Sequence, residues 1–207
     1  MREVELKAVV DDLSAARKML EQAGAKLSFE GRLSDRRYDV ESRELAQRDE
    51  VLRLRRYQGT GPSRTYFDWK GPTETQDVYK IREEVSTLVD DFEALNQLLA
   101  RLGFIVTMEI DRDIAQYDLA GAMIRFETYP RMDVLVEVEG QPDSIENAIE
   151  ALGLARGRFS SDRLTAFVGR FEQRTGVFWE PALRMLRSAE QDSPENNKKE
   201  KNHGERS

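Results

Sequence analysis

The chain has 207 residues, a formal net charge of -7, no cysteine and a single histidine, His203. Disulfides, zinc–thiolate sites and cysteine nucleophiles are excluded, and imidazole chemistry is confined to a polar tail; any metal therefore needs oxygen ligands, as magnesium, manganese or calcium would. The acidic balance argues against a nucleic-acid or membrane-surface binder, since both need a basic footprint.

The first stretch, Glu3-Val4-Glu5-Leu6-Lys7, sets the pattern for the rest. In a strand, Glu3, Glu5 and Lys7 share one face while Val4 and Leu6 share the other. Two carboxylates and an ammonium at this spacing suit a wet cavity holding a cation beside a phosphate; a solvated edge strand is the plainer reading. Asp11 or Asp12 then caps a helix whose apolar positions Leu13, Ala16, Met19, Leu20 and Ala23 follow helical spacing up to Gly24. A strand through Leu27 and Phe29 follows, and the polar segment 35–49 reads as a loop. Over 51–57, Leu52 and Leu54 oppose Arg53 and Arg55, before a turn at Gly59, Gly61 and Pro62. Next, Phe67 and Trp69 oppose Tyr66, Asp68 and Lys70. Lys80, Arg82 and Glu84 alternate with Ile81 and Val85.

From Glu84 the chain repeats itself. Residues 84–91 resemble 5–12, and the helix that follows carries Phe92, Leu95, Leu98, Leu99 and Leu102 before Gly103. A third, looser copy runs from Glu137-Val138-Glu139 through Pro142 and Asp143 to a helix ending near Gly153. Two matches sharing cap and glycine favour a duplicated strand–helix unit. Further strands are expected over 108–117, 123–127 and 134–138, and an amphipathic helix over 162–175 stops at Gly176. Residues 188–207 offer almost nothing apolar to bury and are expected to be a disordered tail on a 1–187 domain. No apolar run reaches the length of a membrane span and no signal-peptide pattern opens the chain, so the expected address is the cytoplasm.

The alternate positions carry glutamate, arginine and lysine opposite Val, Leu, Ile and Phe. An open sheet with one wet face is common, but threonine, serine and glutamine would then be mixed in. Closing the strands into a barrel would make both signs of charge converge inside it. A phosphate chain with a divalent cation satisfies such a lumen, the arginines and lysines holding phosphate oxygens and the carboxylates the metal.

These residues resemble the CYTH superfamily, the triphosphate tunnel metalloenzymes. Glu3-Val4-Glu5-Leu6-Lys7 reproduces its ExExK signature, followed in order by Tyr38-Asp39, 49–55, Trp69-Lys70-Gly71-Pro72, Arg82-Glu83-Glu84, Leu102-Gly103-Phe104 and Glu137-Val138-Glu139. The resemblance, over about 1–175, implies an α+β fold: an eight-stranded antiparallel β-barrel with flanking helices, binding a triphosphate with Mg2+ or Mn2+. Carried over position by position, Lys7, Arg53, Arg55, Lys70, Arg82, Arg112 and Arg125 bind phosphates. Glu3, Glu5, Glu137 and Glu139 hold metal, supported by Glu84 and Glu127, and Lys7 is the candidate catalytic group. Ile114 and Ser86 depart from the pattern by thinning the charged wall. The expected partner is a triphosphate-containing small molecule, without nucleic acid or membrane; a homodimer stays open. A class IV adenylate cyclase layout is the first reading. A triphosphatase and a non-catalytic polyphosphate-binding or nucleotide-binding module are the alternatives.

Overall fold

The computed structural model describes residues 2–178. The expected tail over 188–207, and the end of the expected 1–187 domain, lie outside them. The chain opens with β1 (Arg2–Val10), α1 (Leu13–Gln22), β2 (Lys26–Asp39) and the short α2 (Glu44–Gln47). Then come β3 (Val51–Gly59), β4 (Arg64–Lys70), β5 (Glu74–Gln76), β6 (Tyr79–Val89) and α3 (Phe92–Arg101). The last elements are β7 (Ile105–Leu119), β8 (Ala122–Thr128), β9 (Val134–Glu139), α4 (Pro142–Leu152) and α5 (Leu164–Thr175).

The strands pair antiparallel in the order β1-β9-β8-β7-β2-β3-β4-β6, and β6 returns to β1 to close an eight-stranded barrel. β5 adds a ninth strand on β6. Closure follows from the alternation: each strand has one apolar face to bury and one charged face that closure turns inward. α1 and α4 cover one flank, packing Leu20, Ile145, Ile149 and Leu152 on Leu6, Val136, Val138, Ile124 and Phe126. α3 covers another, with Phe92 and Leu99 over Tyr38, Leu54 and Phe67. Each such fully buried large side chain contributes about 1.5–3 kcal/mol.

α5 does something different. Its Leu164, Phe167, Val168 and Phe171 pack with Val9, Met108, Ile110 and Leu135, and the strand register puts these on the same inward face as the charged residues. One end of the barrel is therefore stoppered by an apolar core.

The duplicated unit is physical. Asp12 and Asp91 each accept a hydrogen bond from the backbone N–H three residues on, of Ala15 and Ala94, both at 2.9 Å. After each helix Gly24 and Gly103 take the left-handed conformation, with φ of +89° and +88°. Ala25 N–H and Phe104 N–H then turn back to the carbonyls of Leu20 and Leu99, both at 3.0 Å. The third copy starts differently, with Pro142 at the first turn of α4 and no side-chain cap.

The loop expected over 35–49 begins later than the sequence suggests. β2 is 14 residues long and carries Asp35 through Tyr38 inside the sheet, paired with both β3 and β7, with Asp39 paired to β7. Its period was hidden because both faces are polar there: Arg32 and Arg36 pair outside with Asp111 and Glu109, each at 2.9 Å, while Asp35 points inward. At the far end of this pair Gly31 faces Gly59, and a Cβ on Gly31 would stand 2.3 Å from the Gln58 carbonyl oxygen. Past β2, the Asp39 carboxylate accepts hydrogen bonds from the N–H groups of Val40, Leu45 and Ala46, and Tyr38 donates to Asn96 at 2.8 Å. Both residues of that motif hold the scaffold. Among the described residues, no helix is long and apolar enough to cross a membrane.

Candidate functional site in the tunnel

The inward face of every barrel strand contributes charge. Glu3, Glu5 and Lys7 come from β1, Asp35 and Arg37 from β2, Arg53 and Arg55 from β3, and Asp68 and Lys70 from β4. Lys80 and Glu84 come from β6, Arg112 from β7, Arg125 and Glu127 from β8, and Glu137 and Glu139 from β9. Most of these side chains are buried. A buried charge survives only when paired, and the pairing here is continuous. Arg53 donates through Nε and Nη2 to Asp68 at 3.0 and 2.8 Å. Arg55 Nε donates to Asp35 at 2.8 Å, and Arg112 spans Asp35 and Glu127 at 2.9 Å each. Arg125 is held by Glu137 and Lys70 by Glu3, with Glu84 3.2 Å from the same ammonium. Each arginine spends only part of its five donors on carboxylates, so the carboxylates orient the guanidiniums without consuming them.

One group of carboxylates is set apart. Glu3, Glu137 and Glu139 bring an oxygen each to within 4.8 Å of one another. Burial, followed by the charges of Glu3 and Glu137, pushes Glu139 up to about 7. Burial also acts to raise Glu3, but the Lys70 ammonium outweighs it and holds that carboxyl down at about 2. Three oxygen donors that repel one another in a buried site fit a hard divalent cation. Glu5 stands outside this trio: its carboxylate takes Lys80 and, at 3.0 Å, Lys7. Lys7 also reaches Glu137. Burial favours its neutral form, yet Glu137 and Glu5 prevail and hold the ammonium above its usual range.

Arg82 departs from its expected place. It is buried, but its guanidinium donates to the carbonyls of Gly71 and Asp49, both at 2.6 Å, so it ties two turns to β6. Those carbonyls take the Nε and Nη2 donors of the buried guanidinium. Four charged lumen residues fall outside the sequence-expected set: Asp35, Arg37, Asp68 and Lys80. Asp68 and Lys80 lie on faces whose alternation was legible; Asp35 and Arg37 sit in the run that reads as a loop. Ser86 hydrogen-bonds Asp68, and Ile114 is buried with its side facing inward beside Glu127. Arg158 and Arg163, the late basic residues, pair with Asp11 and Asp49 on the exterior.

The lumen has two parts. Its mouth is a cavity of about 610 Å³ whose charged floor, including Glu3, Arg125 and Glu139, meets walls of Tyr57, Tyr66, Gln116 and Met123. Phe29, Tyr57 and Tyr66 stack edge to face along this rim, with ring centroids 5.3 and 5.8 Å apart. The inner part is a chamber of about 70 Å³ lined by Lys7, Arg37, Arg53, Arg112 and Arg125 among others, and ended by Ile110 and Leu164.

A model of the CYTH domain matches residues 1–149. The chain belongs to the CYTH family. A relative from Methanocaldococcus jannaschii, provisionally named an adenylate cyclase, is 30% identical over 104 residues, covering 50% of this chain and 57% of the relative. The chain thus spans little more than half the length of that curated relative. Among solved structures, a provisionally named adenylate cyclase from Vibrio parahaemolyticus superposes with a TM-score of 0.68 at 19% identity, covering 81% of this chain and 97% of the other. The PH1819 protein of Pyrococcus horikoshii OT3 gives 0.64 at 23% identity, over 79% and 96% of the two chains. HpAC1 from Hippeastrum, named for an adenylyl cyclase and described with a dominant triphosphatase activity, gives 0.59 at 14% identity over 86% and 97%. At these identities the solved structures establish the CYTH tunnel fold.

Proposed function

We propose that the tunnel binds a triphosphate-bearing small molecule with magnesium or manganese and breaks one P–O bond of its chain. The observation that carries this reading is the placement of three convergent carboxylates, Glu3, Glu137 and Glu139, beside the lysines and arginines that line the inner chamber. Glu3, Glu137 and Glu139 would hold the cation, with Glu84 and Glu127 supporting them through Lys70 and Arg125. When bound, the cation withdraws charge from phosphate oxygens and so favours P–O cleavage.

The chain's own residues supply the remainder. Arg53, Arg55, Arg112 and Arg125 grip phosphate oxygens with the donors their carboxylates leave unused, and Lys70 adds a point charge. Lys7, kept as an ammonium, would orient the attacking oxygen and stabilise negative charge on the phosphorus centre; it has no lone pair with which to take a proton. Phosphoryl transfer depends mainly on such positioning and electrostatics, so the reaction needs no histidine.

Two reactions share this cradle. In the first reading ATP is the substrate: its 3'-oxygen attacks the α-phosphorus, the bond to pyrophosphate breaks, and cyclic AMP forms. Tyr57 and Tyr66 at the mouth support an organic triphosphate, because a bare phosphate chain has no use for tyrosine faces. In the second, water attacks the terminal phosphorus, the bridging P–O bond to the next phosphate breaks with the diphosphate as leaving group, and orthophosphate is released; the inner chamber, with its dense cationic lining, supports this. The test is a single panel of ATP, thiamine triphosphate and tripolyphosphate with magnesium or manganese, measuring cyclic AMP, pyrophosphate and phosphate. Cyclic AMP with pyrophosphate supports the cyclase, and phosphate supports the triphosphatase. Tight binding without any product would replace both with a binding module.

A further inference from the structure

Arg37 occupies a position that the network described above does not explain. It lies on the inward face of β2, opposite Arg53 of β3 and Met108 of β7. On one side of it lies the charged lumen, and on the other the apolar stopper built from Met108, Ile110 and α5. It is thus the cation at the boundary where polar lining ends. Arg53, Arg55, Arg112 and Arg125 each have a carboxylate in hydrogen-bond contact. Arg37 Nε and Arg125 Nε are both buried with no hydrogen-bond partner among the described residues, but Arg125 is held through Nη2 by Glu137, whereas no carboxylate among the described residues is hydrogen-bonded to Arg37. Burial, with the charge of Arg53 adding to it, pulls this guanidinium down to about 10. An unsatisfied buried donor destabilises the fold, and residues that do so without compensation are kept where a ligand completes them.

We propose that Arg37 is the end-stop of the tunnel and receives the outermost phosphate of the bound chain. This rests on the triphosphate reading above and extends it to chain length. The chamber of about 70 Å³ has room on the order of two water molecules, the scale of a single tetrahedral oxyanion. A chain that reaches Arg37 fills it; a shorter chain held at the carboxylate trio leaves Arg37 unsatisfied. Arg37 is therefore a specificity residue that favours triphosphate over diphosphate.

The test combines calorimetric titration of tripolyphosphate and of pyrophosphate, with EDTA and with magnesium, and thermal melting of the ligand-free protein. In Arg37→Met, tripolyphosphate affinity should fall about tenfold or more, as expected for one lost charge-assisted contact. Pyrophosphate affinity should change by less than about threefold, the ligand-free melting temperature should hold or rise, and Arg37→Lys should recover part of the loss. Equal weakening of both ligands, no weakening of either, or a lower melting temperature in ligand-free Arg37→Met would overturn the assignment. A wild-type protein that binds neither ligand would instead remove the triphosphate reading, and the end-stop with it.

Discussion

Asp35 and Arg112 stand 2.9 Å apart on the neighbouring strands β2 and β7, both buried inside the barrel. The same carboxylate takes Arg55 at 2.8 Å, so one aspartate bridges two guanidiniums. Burial acts to raise its pKa, but Arg112, Arg55 and Arg53 together hold it well below the ordinary 3.8. A depressed carboxyl contributes stability that is present above the unfolded pKa and lost as pH falls through the folded one. Asp35→Asn should therefore cost about 3–5 kcal/mol at pH 7, because it takes the paired carboxylate from buried Arg55 and leaves Arg112 with Glu127 alone. Urea unfolding should show this gap at pH 7 and a smaller one below about pH 4. A gap that is constant with pH would show that charge is not its source.

Glu139 behaves in the opposite sense. Its carboxyl is pushed up to about 7 by burial and by Glu3 and Glu137. In the metal-free protein it contributes stability below the unfolded value of 4.5 that is lost as pH rises through 7. A divalent cation needs the ionised form, so its affinity should climb over the same interval. Magnesium or manganese should raise the melting temperature more at pH 8 than at pH 6, and Glu139→Gln should abolish that pH dependence. Equal shifts at both pH values in the wild type would place the cation elsewhere.

Lys7→Ala separates binding from chemistry. Six other basic positions still line the inner chamber, so tripolyphosphate affinity should drop by less than about tenfold, while turnover falls about 10²–10³-fold. Steady-state rates and equilibrium titration on the same preparation check this, and unchanged turnover would remove Lys7 from the mechanism.

Phe167 is the centre of the stopper, buried against the inward faces of the strands. Phe167→Ala should destabilise by about 3–5 kcal/mol, from lost burial plus the cavity left behind. Denaturant midpoints measure it. A loss under about 1 kcal/mol would mean that α5 rests on the barrel end without sealing it.

The barrel was legible wherever one face of a strand is apolar. In β1, β3, β4, β8 and β9 the contrast between faces marks both the strand and its inward side, and the repeated cap and glycine locate α1 and α3. It failed in β2, where solvent wets the outer face and charge fills the inner one. Ser34-Asp35-Arg36-Arg37 has no hydrophobic period, so two lumen residues were hidden in an apparent loop. Arg82 illustrates a different limit. Alternation gives the side on which a residue starts, but a long side chain ends where the nearest acceptor lies, and here that acceptor is the backbone of Gly71 and Asp49. Pairwise partners such as Arg53–Asp68 depend on register between strands, which no single-strand pattern contains.

A tube corked by α5 has one doorway for arrivals and departures alike. Under the proposed P–O cleavage, whatever fragment sits deepest must wait for the shallower one to clear the passage, so departure runs in a fixed order. Inhibition by the two products should then differ in kind, the inner fragment competing with substrate for its seat and the outer one trapping its neighbour behind it.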